Sequence, residues 1–442
     1  MGKLAFFGGE PLVKPGSLVP EWPIVTKEDI YAVVRVLESG RFTGIYHPEN
    51  EALEQEYAAY VGAKHCLTFV NGTVVLHGAV AAAGVGPGDE VLVPALTFLA
   101  SASSVLFHQG IPIFVDIDPA TFNLDPTALE AAITDRTRAI MVVHLHGLPC
   151  DMDEINAIAR KHHLVVIEDN AHAAGAKYRG VKTGNLADMA GGSTIMGKNL
   201  PTCGEGGLFT TNRDDFRNTA AKLREFGELY PKTGDRSYNP DYLGWNYRMN
   251  VINAAFTRSQ LKRLDHYSRL RQENVAAFNR AIEDLPAIVP PHVPPDRNHV
   301  YHIYRFLVAP DRMNIDVPVG RFRRALQDVI CAEGLPVGYY ERMPVPGELI
   351  FQNKRGYGKG CPWECPHARP GIQYRIQDYP HTLQVIESSL MIGSIASPNY
   401  DRQIMDRYAD ILHKVFDNLD EVIKYTRSLD YVPPWQESGP GR

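Results

Sequence analysis

Thr137-Arg-Ala-Ile-Met-Val-Val143, then Met152 to His162, then Leu164-Val-Val-Ile-Glu168-Asp169: two short apolar runs flank a stretch with helical spacing, and the second run ends in two acids. Runs of this length, rich in β-branched residues, read as buried strands, and the stretch between them is long enough for three helical turns. The same alternation extends upstream. Cys66–Val70, Glu90–Val93 and Pro112–Asp116 read as strands, and Val74–Ala83, Phe98–Gln109 and Thr127–Ile133 as helices. Continuous apolar strands separated by helices predict an α/β fold with a mostly parallel sheet covered on both faces. Ligands of such sheets bind outside the carboxyl ends of the strands. Here those ends carry Asn71-Gly72-Thr73, Thr97-Phe98, His144 and Asp169.

About 30 residues beyond Asp169, by the spacing of the strand ends, comes Ser193-Thr-Ile-Met-Gly197-Lys198-Asn199, closed by Gly204-Glu-Gly-Gly207. A lysine in a loop rich in glycine and hydroxyls, following a strand that ends in an acid, points to a pyridoxal phosphate site. The lysine would hold the cofactor as a Schiff base, and the carboxylate would pair with its pyridine nitrogen. An unpaired carboxylate at the end of an apolar strand is costly, and a pyridinium relieves that cost. Asn71-Gly72-Thr73 opens a helix, where backbone N–H groups and a hydroxyl suit a phosphate, although the same residues also make an ordinary cap. Ser193 offers a second hydroxyl, Phe98 a ring to stack on a planar cofactor, and His172 a contact to that ring or its phenolic oxygen. Core packing for Phe98 and a structural place for His172 are the competing readings. Gly84-Val-Gly86-Pro-Gly88 lacks the spacing of a nucleotide fingerprint and precedes a strand, so it reads as a turn.

The chain has 442 residues, too many for one ordinary core. Three parts are expected: a proline-rich extended arm (1–25), a large cofactor-binding domain (26–284) and a small α+β domain (285–442), divided by the proline-rich stretch 286–298. Thr26 is expected to cap a helix from Lys27 to Glu38 and Asn50 a helix from Glu51 to Val61, with a loop over 39–44 between them. Further on, 227–245 reads as a loop, Val251–Asp284 as one or two helices, Val300–Val308 as a strand, Pro318–Glu333 and Arg402–Leu419 as helices, and 334–380 as irregular. A net charge of −6 gives no footprint for nucleic acid or an anionic membrane. Neither a signal peptide nor a membrane span is expected, which points to the cytoplasm and reduced thiols. Cys361 and Cys365 with His367 lack the second ligand pair of a typical zinc site, so no metal is expected there.

Taken together, these stretches resemble the DegT/StrS family of pyridoxal phosphate-dependent sugar aminotransferases, of fold type I. The resemblance spans nearly the whole chain. It is carried by Asn71-Gly-Thr, Gly86-Pro-Gly-Asp-Glu-Val-Leu-Val-Pro94, Pro112-Ile-Phe-Val-Asp-Ile-Asp118, His144-Leu-His-Gly147, Met152-Asp-Glu-Ile155, Ile167-Glu-Asp-Asn-Ala-His172, Gly197-Lys-Asn and Gly244-Trp-Asn-Tyr-Arg-Met249. It implies a large domain with a seven-stranded, mostly parallel sheet and a smaller C-terminal α+β domain. Lys198 matches the Schiff-base lysine, Asp169 the pyridine partner and Phe98 the stacking aromatic. Gly72, Thr73 and Ser193 match phosphate ligands, with Asn71 where serine is usual. Asn246 matches a residue that reaches the phosphate in a neighbouring subunit, which implies a homodimer with shared active sites.

The chain departs from the family pattern at Gly191-Gly192, where an aromatic is usual, and has one residue more between Lys198 and Glu205. Some relatives with histidine at the lysine position are dehydratases; this chain keeps lysine, which favours transamination, with dehydration or oxidative deamination on a related substrate as the rival pyridoxal phosphate reaction. The implied reaction moves an amine from glutamine or glutamate to a ketone on a sugar or cyclitol, and Gly338-Tyr-Tyr340, Pro344-Val-Pro346 and Cys361-Pro-Trp363 resemble the branch acting in antibiotic pathways. A non-catalytic binding member is the alternative from another class. Arg41, Tyr46, His144 and Arg248 are candidates to line the substrate side, and each is equally compatible with a structural place.

Overall fold

The computed structural model describes residues 2–17, 21–42, 46–231, 235–393, 397–399 and 402–436. Parts of the expected arm (1, 18–20), of the loop over 39–44 (43–44) and of the loop over 227–245 (232–234) lie outside them, as does 437–442 of the expected small domain.

The chain builds α1 (Lys27–Ser39), α2 (Pro48–Val61), β1 (His65–Phe69), α3 (Gly72–Ala82), β2 (Glu90–Pro94), α4 (Leu99–Phe107), β3 (Ile111–Val115), α5 (Pro126–Ala132), β4 (Thr137–Val143), α6 (Met152–His162) and β5 (Val165–Asp169). A two-stranded hairpin, β6 (Lys177–Tyr178) and β7 (Val181–Lys182), precedes β8 (Met189–Ser193), β9 (Gly207–Thr211) and α7 (Asp214–Arg224). The main sheet has seven strands in the order β1-β9-β8-β5-β4-β2-β3. β9 alone runs against its neighbours, β1 and β8; the other pairs are parallel. This is the seven-stranded, mostly parallel α/β sheet expected from the sequence. Apolar side chains of α3 and α4 fill one face, and those of α5 and α6 fill the other.

The α1 start is as expected: Thr26 and Asp29 form a reciprocal capping box. Asn50 is different. α2 begins three residues earlier than expected, on Pro48, with His47 as its cap. The Asn50 amide is buried and donates to Thr68 Oγ1 and the Met249 carbonyl. Of the one or two helices expected over Val251–Asp284 the chain forms two, α8 (Val251–Leu261) and α9 (Leu264–Ala281).

The second unit is a three-stranded antiparallel sheet, β10 (Ile288–Val289), β11 (Tyr304–Val308) and β12 (Ser389–Ile392). It is packed with α10 (Val319–Ala332), α13 (Arg402–Asp417) and α14 (Leu419–Ser428); α11 (Leu349–Gln352) and α12 (Pro380–Ser388) precede β12. Two segments depart from a simple division at residue 284. Leu4 and Val13 of the arm enter the core of the small unit. There the buried Glu333 carboxylate accepts from the Ala5 and Leu12 backbone and from Lys414 Nζ. Conversely, Val345, Phe351, Trp363, Ile372, Tyr374 and Tyr379 pack into the core of the large unit against Phe114 of β3. The segment 345–379 thereby covers the edge strand β3, and an uncovered edge is a template for unwanted pairing. No helix among the described residues is long and apolar enough to cross a membrane.

Candidate active site

β1, β2 and β5 end at one cavity of about 500 Å³. Its walls include Asn71, Gly72, Thr73, Phe98, Asp169, His172, Ser193 and Lys198. Every cofactor-site residue expected from sequence except Asn246 therefore lines the same space.

At one end α3 begins. The Asn71 side chain accepts from the Val74 N–H at 3.1 Å, so it works as the helix cap and holds the turn in place. Next to it, a Cβ on Gly72 would lie 2.5 Å from Ser193 Cβ and 3.1 Å from Ser193 Oγ. Only a glycine lets the first turn of α3 come this close to β8. The result is a narrow cradle with the Thr73 and Ser193 side chains at the positive end of a helix, which fits a phosphate. Gly191 is packed from the same helix: a Cβ there would meet Val75 Cγ1 at 2.7 Å and Leu76 Cδ2 at 2.9 Å. α3 thus occupies the space a side chain at 191 would need.

At the other end is Asp169. Among the described residues its carboxylate accepts two hydrogen bonds, from Ser101 Oγ at 2.7 Å and the Ala171 N–H at 3.1 Å. Burial pushes its pKa up, and those two donors and the charge of Lys198 only partly offset the cost. A buried carboxylate in this state fits a cationic ring nitrogen. Lys198 comes from the loop after β8, which is tied down twice: its carbonyl accepts from Trp22 Nε1 at 3.0 Å, and the neighbouring Asn199 amide donates to the Val300 carbonyl at 3.1 Å. Burial lowers the Lys198 pKa to about 8 despite the attraction of Asp169. An amine in that range is partly neutral near physiological pH, as a nucleophile must be. Glu205 also lines the cavity, so Lys198 and Glu205 face the same space from the two ends of the loop that holds the additional residue.

Phe98 is the residue before α4 and lies 60% exposed at the cavity wall, which removes the core-packing reading. His172 is buried, and burial together with Lys198 holds it well below the usual histidine range. Asn246 stands apart. It is exposed on the loop before α8, paired through its backbone with Glu225, and absent from the cavity wall. The four candidates for the substrate side do not line the cavity in this chain. His144 is buried beneath it, paired with Glu168 Oε2 at 2.9 Å. Arg248 pairs with Glu225 at 3.0 Å, the Tyr46 hydroxyl donates to the Tyr230 carbonyl, and Arg41 lines a separate groove between α1 and α8. Tyr340, Thr97, Leu76 and Ile195 are also part of the wall. Tyr340 comes from the long irregular segment and reaches His172 Nε2 at 3.4 Å. Its one sequence signal is the Gly338-Tyr-Tyr340 similarity.

The sequence pattern of the DegT/DnrJ/EryC1/StrS aminotransferase family matches residues 23–358. GDP-perosamine synthase of Caulobacter vibrioides is 46% identical over 252 residues, 57% of this chain and 67% of that one. L-glutamine:2-deoxy-scyllo-inosose aminotransferase of Streptomyces lividus is 40% identical over 289 residues, 62% of this chain and 68% of that one. Among solved structures, 3-amino-5-hydroxybenzoic acid synthase superposes with a TM-score of 0.78 at 29% identity, covering 91% of this chain and 100% of the other.

Proposed function

This chain belongs to the DegT/DnrJ/EryC1/StrS aminotransferase family and is a pyridoxal phosphate-dependent aminotransferase, and we propose that it moves an amino group from glutamine or glutamate to a ketone on a cyclitol or sugar in an aminoglycoside-type pathway. The observation that carries this reading is the convergence of Lys198, Asp169 and the Gly72–Ser193 cradle on one cavity. The names of the Streptomyces lividus and Caulobacter vibrioides relatives support a glutamine donor and a cyclitol or sugar acceptor.

In this reading Gly72, Thr73 and Ser193 hold the phosphate, Asp169 faces the ring nitrogen, Phe98 covers one ring face and His172 lies near the phenolic oxygen. When bound, the cofactor supplies an aldehyde that takes up the donor's amine and a ring that spreads the charge left at the donor's α-carbon. Asp169 keeps the ring nitrogen protonated. With the cofactor bound, Lys198 Nζ would be the base that takes the proton from the donor's α-carbon and the acid that gives it back on the cofactor side. With the ketone as acceptor Lys198 would move a proton in the opposite sense, one water being consumed as the keto acid leaves and one released as the ketone condenses with the amine. Lys198 is suited to both jobs because burial sets its pKa at about 8.

The protein acts in the cytoplasm as a homodimer. Asn246, exposed and turned away from its own cavity, reaches the phosphate of the other subunit, and the exposed Tyr238 and Leu243 on the same loop are apolar surface of the kind an interface covers. The test is a balance of products. With glutamine and a keto-cyclitol, keto acid and aminated product should appear in equal amounts. Release of ammonia or peroxide without aminated product would contradict transfer.

A further inference from the structure

His172 Nδ1 accepts a hydrogen bond from the backbone N–H of His146 at 3.3 Å. A nitrogen that accepts carries no proton, so in the neutral imidazole the proton must sit on Nε2. Nε2 is the nitrogen on the cavity side, 3.4 Å from the Tyr340 hydroxyl. The Tyr340 ring lies 5.7 Å from that of His172, and His302 lies 4.4 Å from it.

The donor of that bond is held in an unusual way. His146 has φ +58°, a left-handed conformation that most residues avoid. Its ring accepts at Nε2 from Arg305 Nη1 at 3.2 Å. Arg305, on β11 of the small unit, also binds Glu341 Oε2 at 2.7 Å through Nη1 and Ser389 Oγ at 2.8 Å through Nε. All four residues are buried. The cluster is not saturated: His146 Nδ1 and Glu341 Oε1 are buried with no hydrogen-bond partner among the described residues. A buried ion pair with orphaned atoms is a poor way to add stability, and such groups call for another role.

We propose that His146, Arg305 and Glu341 are positioning residues through which the small unit fixes His172 as an Nε2–H donor facing the cavity. Arg305 and Glu341 hold the His146 ring, the ring holds the left-handed turn, and the turn aims its N–H at His172 Nδ1. The donor aimed into the cavity serves an oxygen there, such as the cofactor's phenolic oxygen or a substrate hydroxyl. That functional half rests on the reading of the cavity as the cofactor site; the tautomer itself does not.

The experiment is nitrogen NMR of the full chain labelled at histidine, recorded without and with pyridoxal phosphate. The His172 signals are assigned among the 16 histidines by loss in His172→Gln. The wild type should show a protonated Nε2 and a bare Nδ1 in both states. His146→Asn tolerates the left-handed turn and should keep that pattern, whereas the β-branched His146→Val should give mixed tautomers. Arg305→Gln combined with Glu341→Gln removes both buried charges together, which guards against simple unfolding, and should also give a mixture. In the two altered proteins, cofactor affinity should fall about threefold to tenfold, the worth of one hydrogen bond. A wild-type His172 protonated on Nδ1, or an unchanged Nε2–H pattern in both altered proteins, would overturn the proposal. Because the tautomer is read without substrate, these results are independent of whether the chain transaminates.

Discussion

Glu168 and Asp169 are neighbours on β5 and both are buried, yet consecutive strand residues face opposite sides of the sheet, and the two sides treat a carboxylate differently. On one side Glu168 accepts from the N–H groups of Gly184 at 2.7 Å, Leu186 at 2.7 Å and Ala187 at 3.1 Å, and pairs with His144 Nε2 at 2.9 Å. That carboxylate organises the turn between the β6–β7 hairpin and β8. On the other side Asp169 has two donors and an open cavity. The difference teaches how to separate a structural acid from a functional one when the sequence reads simply Glu-Asp. A saturated carboxylate is part of the frame, and an under-served one is waiting for a ligand.

The comparison can be broken at its chemical end first. Lys198→Ala should retain the fold and the cradle, bind cofactor without covalent attachment, and lose at least 10²–10⁴-fold in turnover, roughly the general acid–base share. Steady-state kinetics on the purified variant would check it, and unchanged turnover would contradict the assignment.

The two acids are then set against each other. Asp169→Asn should lower turnover on the order of 10²-fold or more, because an amide cannot keep the ring nitrogen charged, while leaving thermal stability intact. Glu168→Gln should do the reverse. It leaves buried donors facing an NH₂ group and costs about 1–3 kcal/mol, a fall of several degrees in thermal midpoint, with cofactor affinity per folded molecule unchanged. Paired melting curves and cofactor titrations decide the matter; equal effects of the two changes on both readouts would erase the distinction.

A smaller effect is expected in the cradle. Gly72→Ala places a Cβ 2.5 Å from Ser193 Cβ. Separating α3 from β8 should cost about 1–3 kcal/mol in overpacking, read as weaker phosphate and cofactor binding with little change in the turnover of loaded enzyme. The smallest effect is a pH dependence. Burial raises the folded pKa of Asp169 above its unfolded value. Its contribution to stability is therefore fully present below the unfolded value, about 4, and is lost as pH rises through the folded value. Cofactor-free protein should show this loss in denaturant titrations at rising pH, Asp169→Asn should lack it, and bound cofactor should cancel it by supplying the missing positive charge.

Much of the large unit was legible because its signals are local. β4 and α6 appear over the residues expected, and Asn71, Asp169 and Lys198 lie at strand ends or in a loop whose composition announces them. Errors came where a local rule met a tertiary competitor. Asn50 has the right chemistry for a cap but is used to tie α2 to β1 and to the Met249 carbonyl. β8 was hidden by Gly191-Gly192, residues that weaken a strand's signal, of which Gly191 is required here by the approach of α3. The helices α12 and α14 and the strand β12 went unread because short elements in the small unit are fixed by packing and not by period. Arg305 and Glu341 have no local signature at all. Their place depends on contacts distant in sequence, Arg305 with His146 more than a hundred positions away and Glu341 with Arg305.

The central claim is that the cavity holds pyridoxal phosphate on Lys198 and passes an amine through it. The most direct test is the visible absorption of the purified protein with cofactor, before and after adding glutamine or glutamate. The account predicts a yellow band that bleaches with the donor, returns on adding a keto acid, and is absent in Lys198→Ala. A band that never forms on Lys198, even with excess cofactor, would contradict it.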